Sequence, residues 1–205
     1  MPEPTRRDDI LKAASHCFAH YGFAKTTMDD IGKMVGLNKT SLYYYYRNKD
    51  TIFCEIIRQE SDQFLSSLKK KIEGITPWHE QIQTYVLERQ RHFQNTVNLH
   101  KLSIKTSKQL QFQPSFLELL KRFNIQETQI ISEILDQAMG TKQIQKINSQ
   151  KTARIILSVV YGIKQQQMLL ENDNLTLDQF DFETVEQDTR FAISLILNGL
   201  MASPA

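Results

Sequence analysis

The sequence predicts an all-α protein, and three observations predict it. Proline occurs only at positions 2, 4, 77, 114 and 204, so residues 5–76 and 115–203 lack the one residue without a backbone donor. Apolar residues recur at spacings of three and four, as in Leu11, Ala14, Phe18 and Tyr21. Glycines at 22, 36, 74, 140 and 162 fall mostly between these periodic segments, where helices end. No hairpin or strand alternation competes.

The first helix is expected over residues 6–21, ended by Gly22. Thr27 with Asp30 makes a capping box, the hydroxyl accepting a first-turn amide while the carboxylate reaches back. A second helix follows with Met28, Ile31 and Val35 inward. Gly36-Leu37-Asn38 then supplies a turn glycine, an apolar plug and a cap, so a third helix starts at Lys39. Asn48 caps a fourth, which opens at Lys49 and carries Ile52, Phe53, Ile56, Ile57, Phe64, Leu65 and Leu68 far enough to link two domains. Thr76-Pro77 reads as cap plus proline at the first helical position, and Ser115 with Glu118 as another capping box. Further helices are expected near residues 77–99, 101–109, 115–139, 149–171 and 182–200. Residues 1–48 thus form a small three-helix domain and 49–205 a larger helical one.

Composition removes several classes of function. The apolar run from Phe191 to Ala202 is broken by Ser194, Asn198 and Gly199 and falls short of the roughly 20 residues a membrane crossing needs. Glu3, Arg6, Arg7, Asp8, Asp9 and Lys12 stand where a signal peptide would be apolar, so a cytoplasmic location is expected. Cys17 and Cys54 are too far apart for a CxxC motif and are expected as buried thiols. No GxGxxG, Walker loop, GxSxG or HExxH occurs; no enzyme, catalytic residue, cofactor or metal site is expected, and His16 with His20 is read as a solvated pair. The balance of 25 Lys+Arg against 23 Asp+Glu does not argue for nucleic acid; a local arrangement must.

That arrangement lies between Gly36 and Lys49, where Lys39, Arg47 and Lys49 meet no acid. At about 100° per residue, setting Leu42 inward puts Asn38 and Tyr46 beside it and Thr40 and Tyr44 opposite, with Ser41 and Tyr43 flanking. Four consecutive tyrosines, Tyr43 to Tyr46, cannot all be buried on one helix. Two short helices joined at a glycine, the second with one anchored and one free face, fit a helix-turn-helix that reads a major groove.

Residues 6–53 resemble the DNA-binding domain of the TetR family of bacterial transcriptional regulators, through Phe18, Gly22, Thr27, Ile31, Gly36, Leu42, Tyr43, Tyr46, Asn48, Lys49 and Asp50. The resemblance implies that Thr27, Tyr43, Tyr45 and Lys49 meet phosphates of double-stranded DNA while Lys39, Thr40, Ser41 and Tyr44 face bases. Thr40 stands where many members have glycine or alanine, and Gly32 replaces a usual alanine, which should weaken the second helix slightly. For residues 49–205 the resemblance implies a divergent helical domain that binds an effector and dimerises. Phe93, Phe112, Phe116, Phe123 and Tyr161 offer aromatic walls and Gln90 and Gln165 polar anchors, so the effector is expected to be small and largely apolar. The last two helices are apolar on more than one side, so Ile156, Val159, Ile163, Leu195 and Ile196 are expected at a homodimer interface. The whole reads as a ligand-responsive repressor on a roughly palindromic operator. The alternative is an all-helical carrier or enzyme for an apolar ligand, its first three helices merely structural.

Overall fold

The computed structural model describes residues 5–102, 104–171 and 179–201. Among these the chain forms nine helices: α1 Arg6–Tyr21, α2 Met28–Val35, α3 Lys39–Tyr45, α4 Lys49–Glu73, α5 Trp78–Leu99, α6 Ile104–Gln111, α7 Pro114–Gly140, α8 Ser149–Leu170 and α9 Phe182–Leu200. They gather into two compact units, one containing residues 5–62 and 94–119, the other residues 63–93, 120–171 and 180–201. Helix α4 gives its first half to the former and its second half to the latter.

The first unit is built on local signals. Thr5 and Asp8 close a capping box that starts α1, and Thr27 and Asp30 close the one that starts α2. Inward on α1 lie Ile10, Leu11, Ala13, Ala14, Cys17 and Phe18. Tyr21, expected on that stripe, is instead exposed, because the chain turns at Gly22 one residue later and removes the surface it would have packed on. Phe18, Phe23 and Phe53 meet ring to ring, and the buried His100, just past α5, packs its ring edge-on against Phe18 and Phe53. The His100 carbonyl accepts the Phe23 amide at 3.1 Å, and Lys101 donates to the His20 carbonyl at 2.9 Å. Both thiols are buried and free.

The second unit packs the end of α4 against α5, α7, α8 and α9 around Leu65, Leu68, Ile82, Val86, Ile131, Leu135, Ile156, Val160, Ile193 and Leu197. Three helix starts in the chain differ from the expected ones, one being α6, which opens at Ile104 rather than near residue 101. Helix α5 opens at Trp78, leaving Pro77 before it, where its carbonyl accepts the amides of Glu80 and Gln81 at 3.1 and 3.3 Å. Helix α7, which begins in the first unit, opens at Pro114, where a missing donor costs nothing. Gln113 supplies the accepting carbonyl for Phe116 and Leu117, so Ser115 is not a cap; its hydroxyl sits 3.5 Å from the Cys54 thiol.

Candidate nucleic-acid interface and buried ligand site

Helix α3 is placed by its ends. Gly36 closes α2 in the left-handed conformation, φ 68°, which only glycine adopts without strain. The Leu37 amide returns to the Gly32 carbonyl at 2.8 Å, and the Asn38 side chain accepts the Ser41 amide at 2.8 Å to start α3. Gly32 is more than a weak helix former here: a Cβ on it would lie 2.8 Å from the Leu37 carbonyl oxygen, so the sharp turn depends on its bare backbone. Leu42 and Tyr46 are buried, and burying the leucine stabilises this small unit by roughly 2 kcal/mol. Lys39, Thr40, Tyr43 and Tyr44 are exposed, Tyr44 at 86%, while Ser41 and Tyr45 are half-buried. A free face of one cation, hydroxyls and flat rings is what meeting phosphates and base edges requires.

Three residues in this region are engaged within the protein. The Thr27 hydroxyl accepts the Asp30 amide and donates to the Asp30 carboxylate; that donation and the one from the Thr27 amide hold the carboxyl below its usual range. Lys39 pairs with Asp29 at 3.7 Å at the surface. Lys49 donates to the carbonyls of Phe23, Ala24 and Thr26 at 2.8, 3.1 and 3.0 Å, over the Phe23 ring, and burial lowers its pKa. A cation at a helix start opposes the helix dipole. In the protein alone the carbonyls after α1 offset that conflict, and Lys49 thereby locks the chain entering α2.

In the second unit four apolar ladders at spacing four each carry one polar residue: Ile82-Val86-Gln90, Phe123-Glu127-Ile131-Leu135, Ile156-Val160-Lys164-Met168 and Val185-Thr189-Ile193-Leu197. All four polar residues are buried. Packing the ladders together buries two hydrogen-bonded groups, Tyr85-Arg89-Glu127 and Gln90-Thr189, with Lys164 within electrostatic reach of Arg89 and Glu127. The Tyr85 hydroxyl and the Arg89 guanidinium both donate to Glu127 Oε1, and Glu127, 0% exposed, has no partner for Oε2. Burial works against the Arg89 charge, yet Glu127 beside it prevails and raises its pKa; burial and the same carboxylate push the Tyr85 hydroxyl far up. Gln90 donates to the Thr189 hydroxyl at 2.6 Å and leaves its own oxygen unpartnered. The Lys164 ammonium lies 3.9 Å above the Phe93 ring and 5.2 Å from the Tyr161 ring centre. Burial, then Arg89, brings its pKa from 10.5 down to about 7.

Of the expected effector residues, Gln90, Phe93, Phe123, Tyr161 and Gln165 belong to this cluster or its border, Gln165 donating to the Tyr161 hydroxyl and Phe123 lying under Arg89. Phe112 and Phe116 belong to the first unit, where Phe112 is 81% exposed, a surface ring rather than a wall. The charged members Arg89, Glu127 and Lys164 were not expected, although a polar residue inside an apolar ladder is a signal the sequence carries. Among the expected interface residues Ile156 is wholly buried in its own bundle and has no surface to offer. Val159, Ile163 and Ile196 are half-buried and Leu195 is exposed, together with Ile155 and Phe191 on the same two helices.

Residues 10–56 match the pattern of the bacterial regulatory proteins of the tetR family. The HTH-type transcriptional regulator RutR of Escherichia coli K12 is 33% identical over 72 residues, 35% of this chain and 34% of that protein. The fatty acid metabolism regulator protein of Bacillus subtilis is 26% identical over 115 residues, 56% of this chain and 57% of that one. The match to RutR therefore spans about a third of that relative's length. A transcriptional regulator from Cytophaga hutchinsonii shares the fold over nearly all of both chains, 94% of this one and 97% of that one, with a TM-score of 0.78 and 27% identity. With its capped helix-turn-helix at residues 28–45 and its all-helical second unit, the chain resembles the TetR family of bacterial regulatory proteins, whose pattern its residues 10–56 match.

Proposed function

We propose that this protein is a transcriptional repressor that binds a roughly palindromic operator as a homodimer and leaves it when a small molecule with a largely apolar body binds the second unit. The observation that carries this is the face of α3: Leu42 and Tyr46 anchor the helix while Lys39, Thr40, Tyr43 and Tyr44 are exposed to solvent. Palindromy follows from a two-fold dimer, whose two recognition helices must enter major grooves about 34–36 Å apart. The exposed Ile155, Phe191 and Leu195, beside the small Ser158 and Gly162, give α8 and α9 a face for a second copy. Helix α4 is one unbroken 25-residue helix shared by both units, so a ligand that shifts its far half shifts the half that begins beside α3. No helix among the described residues is long and apolar enough to cross a membrane, and the proposed site of action is the cytoplasm, where the DNA is.

Binding of duplexes by the whole protein tests the reading. Genomic fragments selected for tight binding should contain an inverted repeat with half-sites about one helical turn apart. Tyr44→Ala should change which base pairs are preferred and leave thermal stability within about 0.5 kcal/mol, because the ring is exposed. Binding of selected and random duplexes with equal affinity, at physiological salt, would refute the assignment of α3.

A further inference from the structure

We propose that the buried cluster of the second unit is a binding site for a monocarboxylic acid with an apolar body, its carboxylate seated on Lys164 and its hydroxyl or N–H group, where it has one, on Glu127 and Gln90. This rests on the ligand-responsive reading and names the chemistry of the ligand.

Three features carry it. First, among the described residues Lys164 makes no ion pair; its ammonium is held by the faces of Phe93 and Tyr161. The nearest opposite charge, Glu127, is already taken by Arg89 and Tyr85. Counting Arg89, Glu127 and a protonated Lys164, the cluster has one positive charge in excess, which a monoanion balances and a dianion overshoots. An ammonium ligand would meet two cations. Second, Glu127 Oε2 and Gln90 Oε1 are buried acceptors without a donor. Buried polar atoms are nearly always partnered, so these two acceptors are open to a donor that a ligand brings. Third, the same bundle is closely packed and apolar at the level of Ile82, Leu135, Ile156 and Leu197. Stability alone would be served better by continuing those four ladders, since apolar replacement of buried charges is often stabilising.

Lys164 suits this task because it is close to neutral at physiological pH when the site is empty. A carboxylate entering beside it restores the favourable interaction that burial removed, and the amine takes a proton from solvent as the acid binds. Among the described residues, Arg89 on α5, Glu127 on α7 and Tyr161 on α8 are the ionisable groups that act on or lie against it; Arg89 is fixed in charge and opposes the uptake, while Glu127 favours it.

The test uses the full chain at pH 8 with phenylacetate, 4-hydroxyphenylacetate and octanoate, each beside its neutral primary amide. Titration calorimetry in two buffers of different ionisation enthalpy reads affinity and proton uptake together. At least one acid should bind about tenfold or more tightly than its amide, the range expected of a charge-assisted hydrogen bond in a buried site, with uptake of a fraction of a proton. Lys164→Met should fold, by circular dichroism, and lose both the preference and the uptake. Lys164→Arg should keep the preference without the uptake. Failure of every acid to bind, equal binding of acid and amide, or a preference that survives Lys164→Met would overturn the assignment. Operator binding separates the two levels of the argument. Amides that release the operator as well as the acids do would remove the carboxylate site and leave the regulator standing. Acids that bind through Lys164 without releasing the operator would leave the site standing and remove the coupling.

Discussion

Replacing Lys164 by methionine should raise the stability of the protein, and by an amount that depends on pH. The lysine is 9% exposed, and its ammonium rests on two aromatic faces without an ion-pair partner among the described residues. A fall in pKa from 10.5 to about 7 sets a ceiling on the order of 5 kcal/mol for the cost of the buried charge. Relaxation and water entry reduce such penalties, so about 2–3 kcal/mol is expected in practice. Below pH 7 folded and unfolded chains both hold the proton, and the folded state bears the whole cost. Between pH 7 and 10.5 the unfolded chain stays protonated while the folded chain does not, so the unfolded state binds more protons and stability rises with pH. Above that window the lysine contributes nothing. Arg89 keeps its charge, and Tyr85, pushed far above its ordinary range in the folded chain, titrates alike in wild type and variant, so neither alters the difference between them. Melting temperatures of wild type and Lys164→Met across pH 6 to 10 check this. The variant should melt about 5–10 °C higher at pH 6, from the usual few degrees per kcal/mol in a chain of this size, and the two curves should converge near pH 10. Parallel curves, or a variant less stable at pH 6, would refute the reasoning.

Three further outcomes follow from particular contacts. Glu127→Gln leaves the Arg89 guanidinium buried without its counter-charge, and urea unfolding should show a loss of about 3 kcal/mol. Lys49→Ala removes the three carbonyl contacts that lock the chain before α2; it should destabilise by about 1–2 kcal/mol and weaken binding to all duplexes together, with the salt dependence unchanged. A slope smaller by about 1 would instead put that ammonium on a phosphate. Leu195→Arg places a charge on the exposed face of α8 and α9, and sedimentation should find monomer where wild type is dimer; an unchanged dimer would move the interface elsewhere.

The helices were legible because their signals are local. Thr27 with Asp30, Asn38 before α3 and Gly36 after α2 act within four residues of where they stand, so no knowledge of distant chain is needed to read them. Thr5 with Asp8 is the same box at the start of α1, equally legible in the sequence. The starts of α5 and α7 moved by only a residue or so, for one reason: a proline fits both just before and just inside a helix, and neighbouring carbonyls decide which. Tyr21 and Ile156 failed on direction. A spacing of three or four names a stripe without saying which of its members the next element covers, and only the turn at Gly22, or the packing of α8 into its own bundle, decides that.

The charged site was harder to read for a different physical reason. Arg89, Glu127 and Lys164, seen singly, are ordinary helix-surface residues, and a lysine or glutamate is almost never buried unless paired. What distinguishes them is position: Lys164 stands between Val160 and Met168, and Glu127 between Phe123 and Ile131, on ladders that are otherwise apolar. One such interruption is ambiguous, because a ladder can rotate its polar member toward water. Four interruptions, on α5, α7, α8 and α9, cannot all be relieved in this way when the four helices close around one core, since rotating any of them would expose Ile82, Leu135, Ile156 or Leu197 instead. The apolar majority of each ladder therefore forces its polar minority inside. Aromatic residues alone could not have located this site, as Phe112 shows by lying at the surface. The residues with chemical work to do are the ones the core would reject if their neighbours did not hold them there, and a carboxylate on Lys164 is the partner their arrangement leaves missing.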